Sequence, residues 1–533
     1  MKAVLVANRG EIALRVFRAA RARGLGTVAV AAPDDAGSLH ARSADRVVEI
    51  ASYLDAAEHL RAAAETGVDA IHPGYGFLAE NAGFAAAVDG AGLTWIGPPA
   101  SALEAGGDKI SAKRIAEEAG VPTVPAADAP PLIVKAAAGG GGRGMRIVRD
   151  PAELEEALSA ARREAAAAFG DDRVYLERYL ERPRHIEIQL LADKHGNVVS
   201  LGERECSVQR RHQKVLEETP SVALDAELRA QLSDAAVRFA RAIGYVGAGT
   251  AEFVLDGRDF YFLELNARIQ VEHPVTELAT GIDLVDWQLR IADGERLDVQ
   301  PQQRGHAVEV RLYAENPRTF LPQAGRVERL RLPASVRVDA GVAEGDRIPT
   351  SYDPMIAKLI SAGATRGEAL DRLAAALAEV EVGGVTTNLP FLRWLVAHPV
   401  LRAGETTTAF LAEHPPLSPP PAALPAAVWR GSFRLNLPSP APAPPPDLDE
   451  AAAAHAPVDG GVSTVTAPMP GTVIRVLVEE RASVGAGEPL VILEAMKMET
   501  PLTAPYAAVV DAVHVRPGDR VEAGATLIEL SST

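Results

Sequence analysis

The sequence predicts several α/β and α+β domains followed by one small all-β domain. Three observations predict it. The chain has 533 residues, too many for a single hydrophobic core. Its N-terminal part alternates apolar β runs with alanine-rich helical stretches, the pattern of a parallel sheet with helices packed on it. Its C-terminal end repeats a set of short alternating strands and glycine turns.

Within 1–105, AVLVA (3–7) is expected as a strand, Glu11 to about Arg23 as a helix, and TVAVAA (27–32) as the next strand. Residues 106–310 hold most of the polar motifs, and 311–414 mix strands and helices again around SYDPMIAKLI (351–360). The composition then changes. PPLSPPPAALPAA (415–427) and PSPAPAPPP (438–446) cannot build a core, so 415–461 reads as a semi-rigid, polyproline-like spacer. Between them VWRGSFRLNL (428–437) is apolar enough for a short docking strand. Fully extended, the 32 residues 415–446 reach ~100 Å. In 462–533, APMPGTVIRVLVEERASVGAGEPLVIL (467–493) returns as APYAAVVDAVHVRPGDRVEAGATLIEL (504–530) at an offset of 37. Val473 matches Val510, Gly487 matches Gly524 and Leu490 matches Leu527. Two copies imply two small sheets about a pseudo-twofold axis, with EAMKMET (494–500) at the exposed turn between them.

Bulk properties exclude some functions. A net charge of −17 argues against non-specific binding to nucleic acid or to an anionic membrane. One cysteine allows no intrachain disulfide and suggests a reducing compartment. No apolar run approaches the ~18 residues of a membrane span. MKAVLVANRG reads as a strand and a turn rather than a leader. A soluble cytoplasmic protein is expected.

The chemistry sits in four motifs. Only eight of the 54 basic residues are lysine, yet Lys497 stands between two methionines. An amine can be acylated where a guanidinium in practice cannot, so Lys497 reads as a modification site. KAAAGGGGRGM (135–145) follows the apolar run PLIV. Its glycines let backbone N–H groups approach an anion, with Lys135 and the Lys109 of GDKIS close by in sequence. In TAEFVLDGRDFYFLELNARIQVEHPVTE (250–277), two strands flank the turn DGRD. Counting outward puts Glu252 nearly opposite Glu264, a repulsive pair that a divalent cation makes useful. Alternation puts Glu264, Asn266 and Arg268 on one face, with Phe253, Phe262 and Leu263 at the apolar positions. Oxygen ligands of this kind, completed by phosphates, suit Mg²⁺. ERECSVQRRHQKVLEE (203–218) gathers Gln209, Arg210, Arg211, His212 and Lys214, a pocket for ATP and a small anion. Cys206 has no acid–base partner in its frame and reads as packing.

VANRGEIALRV (6–16), HPGYGFLAEN (72–81), GDKIS, the glycine loop, ERYLERPRHIEIQ (177–189), CSVQRRHQK (206–214), ELNARIQVEHPVTE (264–277) and SYDPMIAKLI together resemble the biotin carboxylase family of ATP-grasp enzymes. The tail, with AMKM in a twofold repeat, resembles the biotinyl domain of biotin-dependent carboxylases, an all-β barrel-sandwich. Lipoyl domains share that build but usually lack the double methionine. Both parts on one chain resemble the alpha subunit of an acyl-CoA carboxylase.

The resemblance implies an N-terminal domain over 1–105, an ATP-grasp domain with a glycine-loop lid over 106–310, a C-terminal domain over 311–414, a linker over 415–461 and a biotinyl domain over 462–533. It implies that ATP is held by Lys109, Lys135, Gly141, Gly142, Glu177, Leu180, His185, Gln209 and His212. Glu252, Glu264 and Asn266 would hold Mg²⁺ (or Mn²⁺). Lys214, Arg268 and Val271 would seat bicarbonate, and Glu272 would be its base. Arg337, in SVRVD, would stabilise the biotin enolate, and Lys497 would carry biotin placed there by a biotin protein ligase. With no room for a carboxyltransferase, the chain is expected to pair with a separate carboxyltransferase (beta) subunit, as a homo-oligomer within a larger alpha/beta complex. An acetyl- or propionyl-type acyl-CoA is the expected acceptor. A pyruvate, urea or methylcrotonyl-CoA carboxylase, or a non-catalytic biotin carrier, is the alternative. Lys358 has no derivable role, and Lys2, Lys113 and Lys194 read as surface lysines. The family pattern is broken at AADAP (126–130), where a longer segment with a helix is usual, at Ala138, and at Arg481 and Ala482, which replace a turn glycine.

Overall fold

The computed structural model describes residues 1–137, 145–210, 213–418, 463–469, 471–495, 498–522 and 524–532. Ala138, Gly141, Gly142, Arg211, His212, Lys497 and the expected docking strand lie outside the described residues.

The chain opens with five parallel strands: β1 (Ala3–Val6), β2 (Gly26–Ala31), β3 (Arg46–Glu49), β4 (Ala70–His72) and β5 (Thr94–Trp95). Their spatial order is β3-β2-β1-β4-β5. The helix after β1, Gly10–Ala22, buries Ile12, Val16, Phe17 and Ala20, an apolar stripe at helical spacing. Two motifs of this domain hold one another. Asn8 Nδ2 donates to the Pro73 and Tyr75 carbonyls, both at 2.7 Å. Gly74, at φ +64°, leaves the room for this, since a Cβ there would lie 2.7 Å from Asn8 Nδ2. The Tyr75 hydroxyl in turn donates to Glu11.

A small antiparallel sheet follows, β6 (Leu132–Ala136), β7 (Arg146–Val148) and β8 (Val174–Arg178), in the order β7-β6-β8. It presents Lys135 and Glu177. The centre of the molecule is one antiparallel sheet of eight strands. Six are β9 (Arg184–Ala192), β10 (Val198–Arg210), β11 (Gln213–Thr219), β12 (Gly247–Asp256), β13 (Asp259–Asn266) and β14 (His306–Tyr313). They run β13-β12-β9-β10-β11-β14 and continue into Met355–Gly363 and then Arg337–Ala340. The expected boundary at 310/311 therefore falls inside β14, whose residues are all buried. One sheet spans what the sequence divides into two domains. The N-terminal core is continuous with it as well: Phe84 and Trp95 belong to the same apolar cluster as Phe239, Phe253 and Phe262.

The C-terminal repeat forms two four-stranded sheets. One orders Ser463–Thr466, Thr526–Ser532, Ala508–Val513 and Ser483–Val484; the other orders Met498–Thr503, Pro489–Ala495, Gly471–Val476 and Arg520–Val521. Each sheet takes strands from both halves, as a pseudo-twofold requires. Val473 and Val510, and Leu490 and Leu527, are fully buried pairs at the repeat offset. Gly487 and Gly524 adopt φ +82° and +83°, the same turn made twice. The strands Pro489–Ala495 and Met498–Thr503 pair as far as Ala495 opposite Met498, so residues 496 and 497 join them.

The repeat also exposes a strained position. Arg481, 37 residues before Gly518, sits at φ +72° where Gly518 has +95°. A side chain in this left-handed region costs about 1 kcal/mol that glycine does not pay. Arg481→Gly is expected to slow hydrogen exchange of the Gly471–Val476 amides about fivefold in the full chain; unchanged or faster exchange would show that the site is not strained.

Candidate active site

The polar faces of β9–β13, the small sheet and the segment Phe410–Glu413 with the residues before it enclose a cavity of about 900 Å³. Its floor is set by strand alternation. In β9, Ile186, Ile188 and Leu190 enter the core, so His185, Glu187 and Gln189 point the other way. Register places Arg204 of β10 opposite Glu187 and Lys214 of β11 opposite Gln209.

Glu252 and Glu264 are paired across β12 and β13, as counting from the turn predicts. The alternation is interrupted, however. Phe253 pairs with Phe262, so Leu263 is one residue too many on its strand. This bulge lets Phe262 enter the core while Leu263 and Glu264 both line the cavity. Each carboxylate is balanced by a lysine. Lys109 Nζ lies 3.1 Å from Glu264 Oε2. Lys214 Nζ donates to Glu252 Oε1 at 2.7 Å.

Lys214 is the hub. Its ammonium also donates to Glu187, and to Glu272 Oε1 at 2.7 Å. Burial would lower its pKa, but Glu187, Glu252 and Glu272 drive it well above the ordinary lysine value. It is a fixed cation. Burial alone would raise the Glu272 carboxyl, yet Lys214 and Arg311 hold it far below the usual carboxylate range. Glu252 is held low by Lys214 and His185 in the same way, against its burial. Its Oε1 also accepts from Asn266 Nδ2 and Gln270 Nε2, both at 2.8 Å. Arg268 Nη2 donates to Asn266 Oδ1 at 2.7 Å, and its Nε to Glu80 of the N-terminal domain at 2.9 Å. Arg204, fully buried, ties Glu187, Gln189 at 2.6 Å and Gln270 at 2.9 Å into one network.

At the other end of the cavity Lys135 Nζ meets Glu177 Oε2 at 2.6 Å. Lys113, expected on the surface, meets the other oxygen of Glu177 at 3.0 Å and the Val124 carbonyl at 2.5 Å. Leu180 and Thr408 line the apolar part of the wall, and His185, Gln209 and Val271 line the cavity too. The described residues thus bring together Lys109, Lys135, Glu177, Leu180, His185, Gln209, Lys214, Glu252, Glu264, Asn266, Arg268, Val271 and Glu272. Cys206 is buried and its thiol is pushed well above its usual value by burial, beside Glu187, which fits packing.

Arg337 is not among the described residues that line this cavity. Its guanidinium donates to Glu277 Oε2 and Asp339 Oδ2, each at 2.7 Å, outside the pocket. Arg311 on β14 does line it, bonded to Glu217 Oε1 at 2.7 Å and Glu272 Oε2 at 3.0 Å. Sequence reasoning missed it, along with Glu187, Arg204 and Lys113. The available signal was charge inside an otherwise apolar buried run, HAVEVRLY for Arg311 and RHIEIQLLA for Glu187. For Lys113 it was the four-residue spacing from Lys109, which puts both on one helix face.

A divalent cation fits these residues through hard oxygen donors. Three hydrogen bonds occupy Glu252 Oε1, so its Oε2 and the Glu264 carboxylate are the oxygens that would hold a cation against phosphates, with Asn266 beside them. The acidic groups closest together, His185 with Glu187 and Glu252, and Glu187 with Cys206 and Glu272, share Lys214 as their cation.

Comparison with known proteins agrees with this layout. Residues 1–103 match the family described as "Biotin carboxylase, N-terminal domain", 108–300 "Carbamoyl-phosphate synthase L chain, ATP binding domain", 309–413 "Biotin carboxylase C-terminal domain" and 463–530 "Biotin-requiring enzyme". The chain is 46% identical over 441 residues to the biotin carboxylase of Halalkalibacterium halodurans, covering 78% of this chain and 98% of that protein. It is 49% identical over 442 residues to the mitochondrial methylcrotonoyl-CoA carboxylase subunit alpha of Arabidopsis thaliana, covering 77% of this chain but only 60% of the relative. Among solved structures, the biotin carboxylase domain of Hydrogenobacter thermophilus 2-oxoglutarate carboxylase, in complex with MgADP, ADP and bicarbonate, superposes with a TM-score of 0.76 at 44% identity, over 78% of this chain and 98% of that one.

Proposed function

The chain belongs to the biotin carboxylase family of biotin-dependent carboxylases, and from that premise we propose that it carboxylates biotin held on its own Lys497, using ATP and bicarbonate, as the first half-reaction of an acyl-CoA carboxylase. The observation that carries this reading is the Lys214 ammonium, bonded to Glu252 and Glu272 at the floor of a cavity that Lys109 and Lys135 also line. Phosphoryl transfer needs positioning and charge neutralisation more than covalent help, and these groups supply both.

In this reading Lys109, Lys135, Glu177, Leu180, His185 and Gln209 bind ATP. Gly141, Gly142 and His212 are assigned the same task by motif alone. Lys214, Arg268 and Val271 seat bicarbonate. A bicarbonate oxygen attacks the γ-phosphorus, ADP leaves, and the carboxyl so activated passes to the ureido nitrogen of biotin, whose N–H proton goes to the phosphate released. Glu272 takes the bicarbonate proton. Resting Glu272 is a weak base because Lys214 and Arg311 hold it ionised. An anion that shares Lys214 relieves that hold and makes Glu272 more basic. Glu252 and Glu264 would hold a divalent cation, which would supply charge neutralisation for the phosphates.

The test is ADP release that requires bicarbonate and rises with free biotin. Chelating the cation is expected to abolish it. Glu264→Gln is expected to raise the Mg²⁺ concentration for half-maximal rate roughly tenfold or more. Absence of bicarbonate-dependent ADP release with Mg²⁺ and free biotin would favour a non-catalytic carrier. The similarity to a methylcrotonoyl-CoA carboxylase subunit makes that acyl-CoA, beside acetyl- and propionyl-CoA, the first acceptor to try with a separate carboxyltransferase subunit; carboxylation of pyruvate or urea instead would reassign the acceptor.

A further inference from the structure

Lys358 is fully buried in the strand Met355–Gly363 and is used by nothing so far described. Its ammonium donates to the Val271 carbonyl at 2.7 Å and lies 3.2 Å from Glu11 Oε1. Three parts of the chain meet at this one amine: the first helix through Glu11, the 267–272 segment through Val271, and the C-terminal domain that supplies Lys358. The Tyr75 hydroxyl donates to the same Glu11 oxygen.

The segment it grips has unusual demands. Residues 267–272 connect β13 to the helix His273–Thr280 and belong to neither. No strand ladder orders their backbone, yet Arg268, Gln270 and Glu272 must all point into the cavity. Side-chain bonds hold Gln270 and Glu272 from the cavity side. From behind, the Val271 carbonyl is held by Lys358. A buried amine is a costly way to satisfy one carbonyl, unless the position of that carbonyl matters.

The neighbouring charges favour this use. Glu309 is fully buried, and neither of its oxygens has a hydrogen-bond partner among the described residues. Burial raises it well above the ordinary carboxylate range, and the Lys358 ammonium bonds the Val271 carbonyl and pairs with Glu11. Register sets Lys358 beside Arg311, the arginine that reaches Glu272 from the same sheet.

We propose that Lys358 is a positioning residue for the bicarbonate seat, a strut that fixes Val271 and through it the direction of Arg268 and Glu272. The inference rests on the reading that 268–272 bind and deprotonate bicarbonate. Lys358 touches no substrate and acts only through the segment it holds.

The test is steady-state kinetics of ADP release with free biotin, varying bicarbonate and ATP separately. Lys358→Met keeps the volume of the side chain and removes the strut. Because it strands the Glu11 charge, the double variant Glu11→Gln/Lys358→Met is made as well. In both, the KM for bicarbonate is expected to rise roughly tenfold or more, with the KM for ATP within about twofold of wild type. Glu11→Gln alone keeps the strut and is expected to shift the bicarbonate KM by less than about threefold. A folded variant without Lys358 whose bicarbonate KM is unchanged overturns the proposal. So does an equal rise in both KM values, or failure of both variants to fold, since the amine would then support the fold and not the seat. If wild type itself shows no bicarbonate-dependent ADP release, the functional reading has failed, and the strut with it.

Discussion

Lys497→Arg is expected to abolish transfer of radiolabelled bicarbonate carbon onto the chain while leaving ADP release with free biotin within about twofold of wild type. The two halves of this result follow from separate facts. The groups proposed to bind ATP and bicarbonate lie between Lys109 and Arg311, on the eight-stranded sheet, the small sheet and the segments joined to them, so a substitution in the tail leaves them untouched. The strands around Lys497 are paired up to Ala495 and Met498, so the change falls beyond the last pair and the carrier keeps its fold. What is lost is the nucleophilic amine. A guanidinium stays protonated and is not acylated by biotin protein ligase. Mass spectrometry of the tail peptide reports the loss directly. Label retained on the arginine variant would place the acceptor elsewhere and remove Lys497 from the mechanism.

Much of the site was legible because strand geometry is periodic. A turn at DGRD fixes which residues face one another, and Glu252 opposite Glu264 follows by counting. The bulge at Leu263 was not legible, because one extra residue leaves no mark in the pattern. The expected face of Glu264, Asn266 and Arg268 was right for the cavity, but the apolar set was not: Phe253 and Phe262 enter the core while Leu263 lines the pocket. The carrier was readable because its repeat carries its own control. Val473 and Val510 had to share an environment, and both are fully buried. Burial of charge was the hardest thing to see. Lys113 reads as a surface lysine and Lys358 as a lysine of no derivable role, yet each ties down a backbone carbonyl. Only the folded chain shows these partners.

Motif resemblance assigns the biotin enolate to Arg337, whereas Arg311 on β14 lines the cavity, and the two variants separate them. SVRVD and HAVEVR both place arginine in a valine-flanked strand, and pattern alone does not say which strand faces the cavity. Arg311→Met is expected to lower biotin-dependent turnover roughly 10²–10³-fold, the scale of losing one fixed charge from a developing anion. Arg311 suits that task. Burial works against its charge, but Glu217 and Glu272 raise it well above the usual arginine value, so it does not lose its proton at the site. Arg337→Met is expected to leave turnover within about threefold and to lower the melting temperature instead. It removes one partner from each of Glu277 and Asp339, both largely buried, while Arg15 stays 2.7 Å from Glu277 and Arg18 3.3 Å from Asp339, so a loss of about 1–3 kcal/mol is expected. Arg311→Lys refines the comparison. It keeps a charge but loses the fork that spans Glu217 and Glu272, so partial recovery over methionine is expected. Normal turnover in Arg311→Met, beside a folded but inactive Arg337→Met, would return the role to Arg337 and require the segment around it to swing into the cavity.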